Sequence, residues 1–328
     1  MIYCNRVHKL PDFGGGTVRF TRRKFVNDVG ALGACLLTSG RASFASEGPI
    51  SNMPRVRSTF GGVPIGCSTR SLLSLPLDGA IRVIADIGYG MAELHPKHVE
   101  PVTTGRAATD EAARMRLREW RLGVPLEQFE EIGRKFKNAG LFLYAYNMNW
   151  ADNVTDEEID RGFQMTKALG CRVMSAVGSK QLLRRLDPFA QEHRIWIGAH
   201  NDIVNLPTIA EFDDLLKGSS SYMQMTLDIG HFVASGSNPL ACLNTHHSRI
   251  INLHLKDRKR VGGPDMPFGE GDTPMAEVLR INRDGKYRIP ANVEWEARDS
   301  DPVASLRKCL EYCKRVLQSD SNRSGSSQ

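Results

Sequence analysis

MQMTLD at residues 223–228 and IINLH at residues 250–254 are short apolar runs that each end in a polar side chain able to bind a metal. Two further runs have the same form, IWIGAH at residues 195–200 and ANVE at residues 291–294. Such runs predict strands buried on both faces, and a parallel barrel carries its active site at the carboxyl ends of its strands. The sequence therefore predicts one site built from four strand ends, with the candidate metal ligands His200, Asp228, His254 and Glu294.

Outward from these runs, strand-like and helix-like stretches alternate from about residue 61. Eight strands are predicted, at residues 64–68, 91–95, 141–147, 172–177, 195–200, 223–228, 250–256 and 291–296. Helical patterns lie at residues 77–87, 126–139, 156–169, 208–216, 274–282 and 302–317. This alternation predicts an α/β fold, a closed (β/α)8 TIM barrel in a single domain over residues 61–317. Residues 96–124 form a charged insertion, either a helical excursion or a lid, and residues 318–328 read as a disordered tail.

The first 45 residues resemble a targeting segment. TRRKFV at residues 21–26 matches a twin-arginine export signal, and SFA at residues 43–45 is a small-x-small cleavage site. Residues 46–60 would be a linker. This pattern predicts a periplasmic or otherwise extracytoplasmic protein, and the alternative is a basic tail on a cytoplasmic one.

Charge and hydropathy exclude two classes of partner. Residues 1–45 hold seven Lys/Arg and two Asp/Glu, so they carry +5 of the formal net charge of +6. A remainder near +1 removes the charge argument for a nucleic-acid partner. No apolar run approaches the roughly 20 residues needed to span a bilayer, so no membrane contact is predicted for the mature form. Cys309 and Cys313, one helical turn apart, suit packing better than a disulfide.

Strand alternation supports the predicted site. Along residues 250–256 it points Asn252, His254 and Lys256 into the barrel and Ile251 outward. The same alternation places the other three candidate ligands inside. An uncompensated pair of interior carboxylates is costly to bury, and a divalent cation is the usual compensation. The alternative is a hydrogen-bonded polar core without metal.

Three motifs carry a resemblance to a known family. DIGH at 228–231, HLKD at 254–257 and VEWE at 293–296, in this order and spacing, resemble the sugar phosphate isomerase/epimerase family, the xylose-isomerase-like TIM barrels, here as a twin-arginine-exported subgroup. AELH at 92–95 and GEGD at 269–272 also match, and the likeness covers roughly residues 61–317. It implies that Asp228, His254 and Glu294 ligate one divalent metal ion, and that His231 contacts substrate hydroxyls.

The resemblance leaves several roles open. Arg260 is similar to a substrate-binding arginine of the epimerase branch, or belongs to a solvated basic loop. Lys256 could bond the substrate or pair with the neighbouring Asp257. Glu93 and His95 could contact substrate or form a polar pair at the rim. Glu296, two residues past a ligand, would orient its neighbours. The loop aromatic residues Trp150 and Phe268 could stack on a sugar or serve as lid or packing residues.

One departure from the family limits the chemistry. Ketose epimerases carry, after the fifth strand, a glutamate that binds metal and acts as one of two opposed bases, and this chain has His200 there. Two histidines and two carboxylates suit Mn, Co, Fe or Zn better than Mg. Because one base is lost, this departure disfavours an epimerisation that needs a base on each face. A one-base process remains, either aldose–ketose isomerisation on one face or β-elimination, with Glu294 or His231 as the proton acceptor.

The leading interpretation is a metal-dependent isomerase or epimerase that abstracts a proton next to the metal-polarised carbonyl of a sugar or keto-sugar. A lyase that β-eliminates from 3-keto-glycosides is the first alternative. A non-catalytic sugar-binding barrel and an abasic-site endonuclease of the same superfamily are the others. The endonuclease requires several metals and a basic DNA face, which the charge opposes. The implied partner is a small carbohydrate, and the sequence leaves the oligomeric state open.

Overall fold

The computed structural model describes residues 48–101, 111–296 and 301–319. The predicted signal at residues 1–45 lies outside these ranges, so export stays a prediction. Residues 102–110 of the insertion and 320–328 of the tail also lie outside. The predicted linker is described from residue 48. It ends in a short strand, Thr59–Phe60, which pairs antiparallel with the first barrel strand.

Eight parallel strands close into a barrel, which confirms the predicted TIM barrel in a single domain. The last strand pairs with both its predecessor and the first strand, and the first pairs with the second, so the ring is complete. The barrel strands are β1 Val63–Ser68, β2 Met91–Leu94, β3 Phe142–Asn149, β4 Val173–Val177, β5 Trp196–His200, β6 Met223–Asp228, β7 Ile250–Leu255 and β8 Ala291–Val293.

Ten α-helices lie within the described residues. They are α1 Leu77–Ile87, α2 Glu111–Gly123, α3 Leu126–Asn138, α4 Asp156–Ala168, α5 Lys180–His193, α6 Ile209–Leu216, α7 Ile229–Ala234, α8 Pro239–His246, α9 Met275–Asp284 and α10 Pro302–Gln318. The six predicted helices are present, whereas α2 was foreseen only as an excursion and α5, α7 and α8 were not specified. Gly140 and Gly170, just beyond α3 and α4, adopt φ of 70° and 79°, which a residue with a side chain rarely does.

The described part of the insertion is a helical excursion beside α4. Arg121 on α2 is buried, ion-pairs with Glu100 at 2.8 Å, and lies over the Trp150 ring at 5.0 Å. Arg114 donates to Glu158 on α4 at 2.5 Å. These pairs fix α2 against the barrel wall, and none of its residues lines the cavity described below. None of the helices in the described ranges is long and apolar enough to cross a membrane.

The amino-terminal half of the lumen is filled by a small apolar cluster. The hydroxyl of Tyr144 on β3 donates to the backbone oxygen of Ile251 on β7, two strands that are not neighbours. The prediction that Ile251 points outward is wrong. The register of β6 and β7 shifts between Met225 and Thr226, which pair with residues 250 and 252, so Ile251 is an extra residue that breaks the alternation. Its side chain packs in the cluster with Met91, Tyr144, Val173 and Trp196.

Five cysteines lie in the described ranges, and all are buried and free. Cys309 and Cys313 pack on α10, as predicted from their spacing. Burial raises the pKa of the Cys313 thiol to about 12, so this thiol stays protonated and unreactive at neutral pH.

Candidate metal centre and active site

Four strands bring together the four candidate ligands, called here the strand-end ligands: His200, Asp228, His254 and Glu294. His200 and Asp228 end β5 and β6, His254 lies near the end of β7, and Glu294 follows β8. All four are buried, and one donor atom from each lies within 4.8 Å of the others. Two imidazole nitrogens and two carboxylate oxygens at this spacing form a set that could hold a divalent cation.

Glu93 orients one of these ligands from across the lumen. Its Oε2 lies 3.0 Å from Nε2 of His254 and accepts from the Asn252 amide at 2.7 Å, while Oε1 accepts from Asn147 at 3.3 Å. With Nε2 engaged, Nδ1 of His254 faces the other strand-end ligands. Glu93 is fully buried and does not line the cavity at the barrel mouth, so the structure places it behind His254 rather than at the rim.

One buried carboxylate oxygen and one neutral imidazole of the cluster suit a cation. Oδ1 of Asp228 caps α7 by accepting from the His231 backbone N–H at 2.7 Å, but Oδ2 has no hydrogen-bond partner among the described residues. The ligand nitrogen of His200 is Nε2, which faces His254 and lies 3.9 Å from Asp228 Oδ2. Burial and the adjacent His254 lower the pKa of His200 to about 3, so its imidazole is neutral, the form that binds metal. A buried carboxylate oxygen without a donor is the kind of atom that a cation satisfies.

Lys256 provides a permanent positive charge beside the cluster. Its ammonium is 2.8 Å from Glu294 Oε2 and 3.5 Å from Asp228 Oδ2, and it also contacts Glu296. Burial lowers the pKa of Lys256, but these carboxylates outweigh burial and raise that pKa above its ordinary value. Burial also raises the pKa of Glu294, but Lys256 and His254 outweigh it and hold that pKa well below the usual range.

The alternative pairing of Lys256 with Asp257 is wrong. Asp257 accepts from the backbone N–H groups of Gly269, Gly271 and Thr273, at 2.8 to 3.2 Å, and so fixes the loop after β7. Neighbouring residues of an extended chain point to opposite sides, which sends Lys256 into the lumen and Asp257 away from it.

His231 lies between two cationic side chains. Its Nδ1 is 2.9 Å from the Arg258 guanidinium, and its Nε2 is 3.2 Å from the Lys256 ammonium and 3.7 Å from Asp228 Oδ2. A guanidinium and an ammonium can both only donate, so both nitrogens of His231 face hydrogen-bond donors. His231 thus presents its Nε2 edge to the site, beside Lys256 and Asp228.

Arg258 stands where the sequence analysis expected Arg260. Asp257–Arg258 pairs with Asp265–Met266 in a small antiparallel ribbon, which turns Arg258 toward His231. Arg260 is exposed at the end of this ribbon, and its backbone N–H donates to Asp272 at 2.9 Å. The structure therefore does not bring Arg260 to the strand-end ligands.

Arg70 is a site residue that the sequence analysis missed. It follows β1, contacts Glu296, lies 3.9 Å from Glu294 Oε1, and places a guanidinium nitrogen 3.2 Å from His95 Nε2. Burial and the guanidinium lower the pKa of His95 to about 3, so this imidazole is neutral. The position of Arg70 could have identified it. Arg70 follows the predicted strand at residues 64–68, and the sequence-based prediction placed no candidate site residue at the carboxyl end of that strand.

A cavity of about 180 Å³ lies over the strand-end ligands. Its wall is strongly polar, and it includes the predicted residues His95 and His231 but neither Lys256 nor Arg260. The lining residues are Arg70, His95, Asn147, Asn149, Val177, His200, Asp202, His231, Glu294 and Glu296. A small, polar chamber of this kind suits a small polar ligand.

Comparisons with known proteins agree with this architecture. A family model described as a xylose isomerase-like TIM barrel matches residues 81–316. An inosose dehydratase from Clostridium beijerinckii is 35% identical over 153 residues, which make up 40% of this chain and 51% of that protein. The chain thus spans about half the length of this relative.

Two solved structures share the fold. The probable 3-DHS dehydratase AsbF from Bacillus anthracis, involved in petrobactin synthesis, superposes with a TM-score of 0.58 at 13% identity, over 76% of this chain and 99% of that one. The IOLI protein, solved with a bound zinc atom, gives a TM-score of 0.57 at 15% identity, over 81% of this chain and all of that one. At these identities the likeness concerns the fold alone.

Proposed function

The chain belongs to the xylose isomerase-like TIM barrel family, and we propose that it is a metal-dependent lyase acting on a carbohydrate that carries a keto group. The reaction is a β-elimination. A proton leaves the carbon next to the carbonyl, the bond from the following carbon to its oxygen substituent breaks, and an unsaturated ketone and an alcohol are formed. A 3-keto-glycoside has this arrangement, with its aglycone as the leaving group.

The observation that carries the proposal is the imidazole at the end of β5. His200 Nε2 lies 2.9 Å from His254 Nδ1, within the strand-end ligands, where the family's ketose epimerases carry a carboxylate base. Inverting a stereocentre usually requires a base on each face, whereas an elimination requires one base and one acid. The name of one relative, the inosose dehydratase that is 35% identical over 153 residues, supports a lyase as well.

The roles of the side chains follow from their contacts. A divalent cation held by the strand-end ligands would supply a Lewis acid for the keto oxygen, and the mixed nitrogen and oxygen donors favour Mn, Co, Fe or Zn over Mg. Glu294 accepts the proton from carbon. His231 donates a proton to the departing oxygen. Lys256 and Arg70 hold Glu294 and Glu296 in place and offset their charge.

Two other candidates are weaker on the same geometry. One-face aldose–ketose isomerisation is the second candidate, because Glu294 could return its proton to the adjacent carbon. An abasic-site endonuclease needs a second metal, for which His231, Glu294 and Glu296 are a possible group. The Lys256 ammonium already contacts all three of these residues, which opposes a second cation there.

The test is NMR of the metal-loaded protein with methyl 3-keto-glucoside in D2O. A lyase releases methanol and forms an unsaturated ketone, and a chelator stops both. An isomerase exchanges deuterium and moves the keto group to the neighbouring carbon without methanol release, and a non-catalytic barrel gives neither. His231→Gln separates the two steps, because we expect exchange next to the carbonyl to persist while methanol release falls. Release that survives metal removal would contradict the proposal.

A further inference from the structure

A second and larger cavity adjoins the catalytic one. It measures about 900 Å³ and lies between the loop after β7 and helix α10. Glu296 lines both cavities, so they meet at this side chain. The proposed function does not use the larger cavity.

The two cavities differ in size and in chemistry. Ligand pockets usually measure about 300–1,000 Å³. The catalytic cavity, at about 180 Å³, is below that range, whereas the neighbouring one lies within it. The catalytic wall is polar and charged, whereas the larger cavity has an apolar and aromatic side, formed by Met266, Pro267, Phe268, Trp295 and Tyr312. Its other side carries charged residues, namely Asp265, Glu270, Glu296, Lys308, Glu311 and Arg315.

Three aromatic rings form one continuous group in this wall. The Phe268 ring centroid lies 6.4 Å from that of Trp295 and 5.8 Å from that of Tyr312, with interplanar angles of 58° and 79°. Arg315 lies over the Tyr312 ring at 5.5 Å. Aromatic rings attract one another in offset-stacked and edge-to-face arrangements, so this group would attract a further flat ring. Phe268 and Tyr312 are only half-buried, so ring surface is available to a ligand.

We propose that the larger cavity binds the aglycone of the substrate and that this aglycone is an aromatic ring. The inference rests on the proposed elimination, because the aglycone is bonded to the carbon that follows the one losing its proton. When the keto-sugar ring occupies the catalytic cavity, the aglycone extends past Glu296 toward Phe268. The substrate class is therefore an aryl 3-keto-glycoside.

Binding of an unreactive ligand tests the cavity without the reaction. Metal-loaded protein is titrated calorimetrically with 4-nitrophenyl glucoside and with methyl glucoside, neither of which carries a keto group. We expect the aryl compound to bind about tenfold more tightly, and Phe268→Ala to remove most of that difference. Phe189→Ala is the matched control, since Phe189 is a half-buried phenylalanine on α5 that stacks on Phe163 and lines neither cavity.

Turnover provides the second measurement. The ratio of kcat/KM for the aryl over the methyl 3-keto-glucoside should fall about tenfold in Phe268→Ala and stay unchanged in Phe189→Ala. If the aryl glucoside binds through Phe268 but the protein does not turn over either 3-keto-glucoside, the proposed elimination is refuted and the assignment of the larger cavity is supported. If the wild type, Phe268→Ala and Phe189→Ala turn over both substrates with the same ratio of kcat/KM values, the assignment of the larger cavity to the aglycone is overturned and the proposed elimination still holds. A keto-disaccharide preferred over the aryl substrate would overturn the aromatic assignment.

Discussion

Nε2 of His200 and Nδ1 of His254 face each other at 2.9 Å across the ends of β5 and β7. Two imidazole lone pairs cannot point at one another, so a proton or a metal ion must lie between them. Glu93 and Glu294 outweigh burial and raise the pKa of His254 well above its ordinary value. In protein stripped of metal, His254 therefore donates to His200, and a metal ion would take the place of that proton.

His200→Ala should lower metal occupancy several-fold, because it removes one of the four donor atoms and one of the two nitrogens. The measurement is elemental analysis of the purified protein after dialysis against limiting metal. His246→Ala is the control, since His246 on α8 lies 3.2 Å from Asp213 and belongs to no ligand group of the described residues. Unchanged stoichiometry in His200→Ala would remove this residue from the ligand set.

Glu93→Gln should weaken metal affinity about 10- to 100-fold although Glu93 is not a ligand, because the variant loses the carboxylate that orients His254. Competition with a chromogenic chelator measures the effect. Glu127→Gln, an exposed change on α3, should have none. Wild-type affinity in Glu93→Gln would show that His254 is held without it.

Lys256→Met should destabilise metal-free protein by about 3–5 kcal/mol, because it leaves buried carboxylates without their cation. A bound divalent ion supplies positive charge at the same place, so metal should stabilise this variant more than it stabilises the wild type. Urea unfolding with and without metal gives both values. Equal stabilisation of the two proteins by metal would mean that Lys256 does not offset the ligand carboxylates.

His95 should make the protein less stable in acid. Its pKa is about 3 in the folded state and near the ordinary 6.5 in the unfolded chain. Between these values the unfolded state binds a proton that the folded state does not, so stability falls as pH decreases from about 6.5 toward 3. His95→Gln should flatten this part of the stability curve, measured by urea unfolding at a series of pH values. If the plots of unfolding free energy against pH for the wild type and His95→Gln stay parallel, the loss of stability in acid comes from groups other than His95.

The strand-end ligands could be predicted because strand alternation is a local property with a period of two residues. Two observations were enough to place them inside the barrel, namely where each apolar run ends and which alternate positions of the strand point inward. The residues placed in this way are His200, Asp228, His254 and Glu294. Ile251 could not be placed in this way, because the register shift that turns it inward depends on how β6 pairs with β7.

Arg70 and Arg258 escaped prediction for a different reason. Each has a long side chain that starts outside the predicted inward positions and reaches back to a group on another strand, Glu296 for one and His231 for the other. Such contacts depend on the course of a loop. The ribbon formed by Asp257–Arg258 and Asp265–Met266 decides which arginine points inward, and no periodic pattern in the sequence encodes it.

Lys256 has a consequence for the order in which the protein folds and binds metal. Because the chain supplies its own counter-charge to Asp228 and Glu294, the barrel can reach its final form before any ion arrives. Folding and cofactor acquisition are then separate events, and the compartment that provides the metal can differ from the one in which the polypeptide folds.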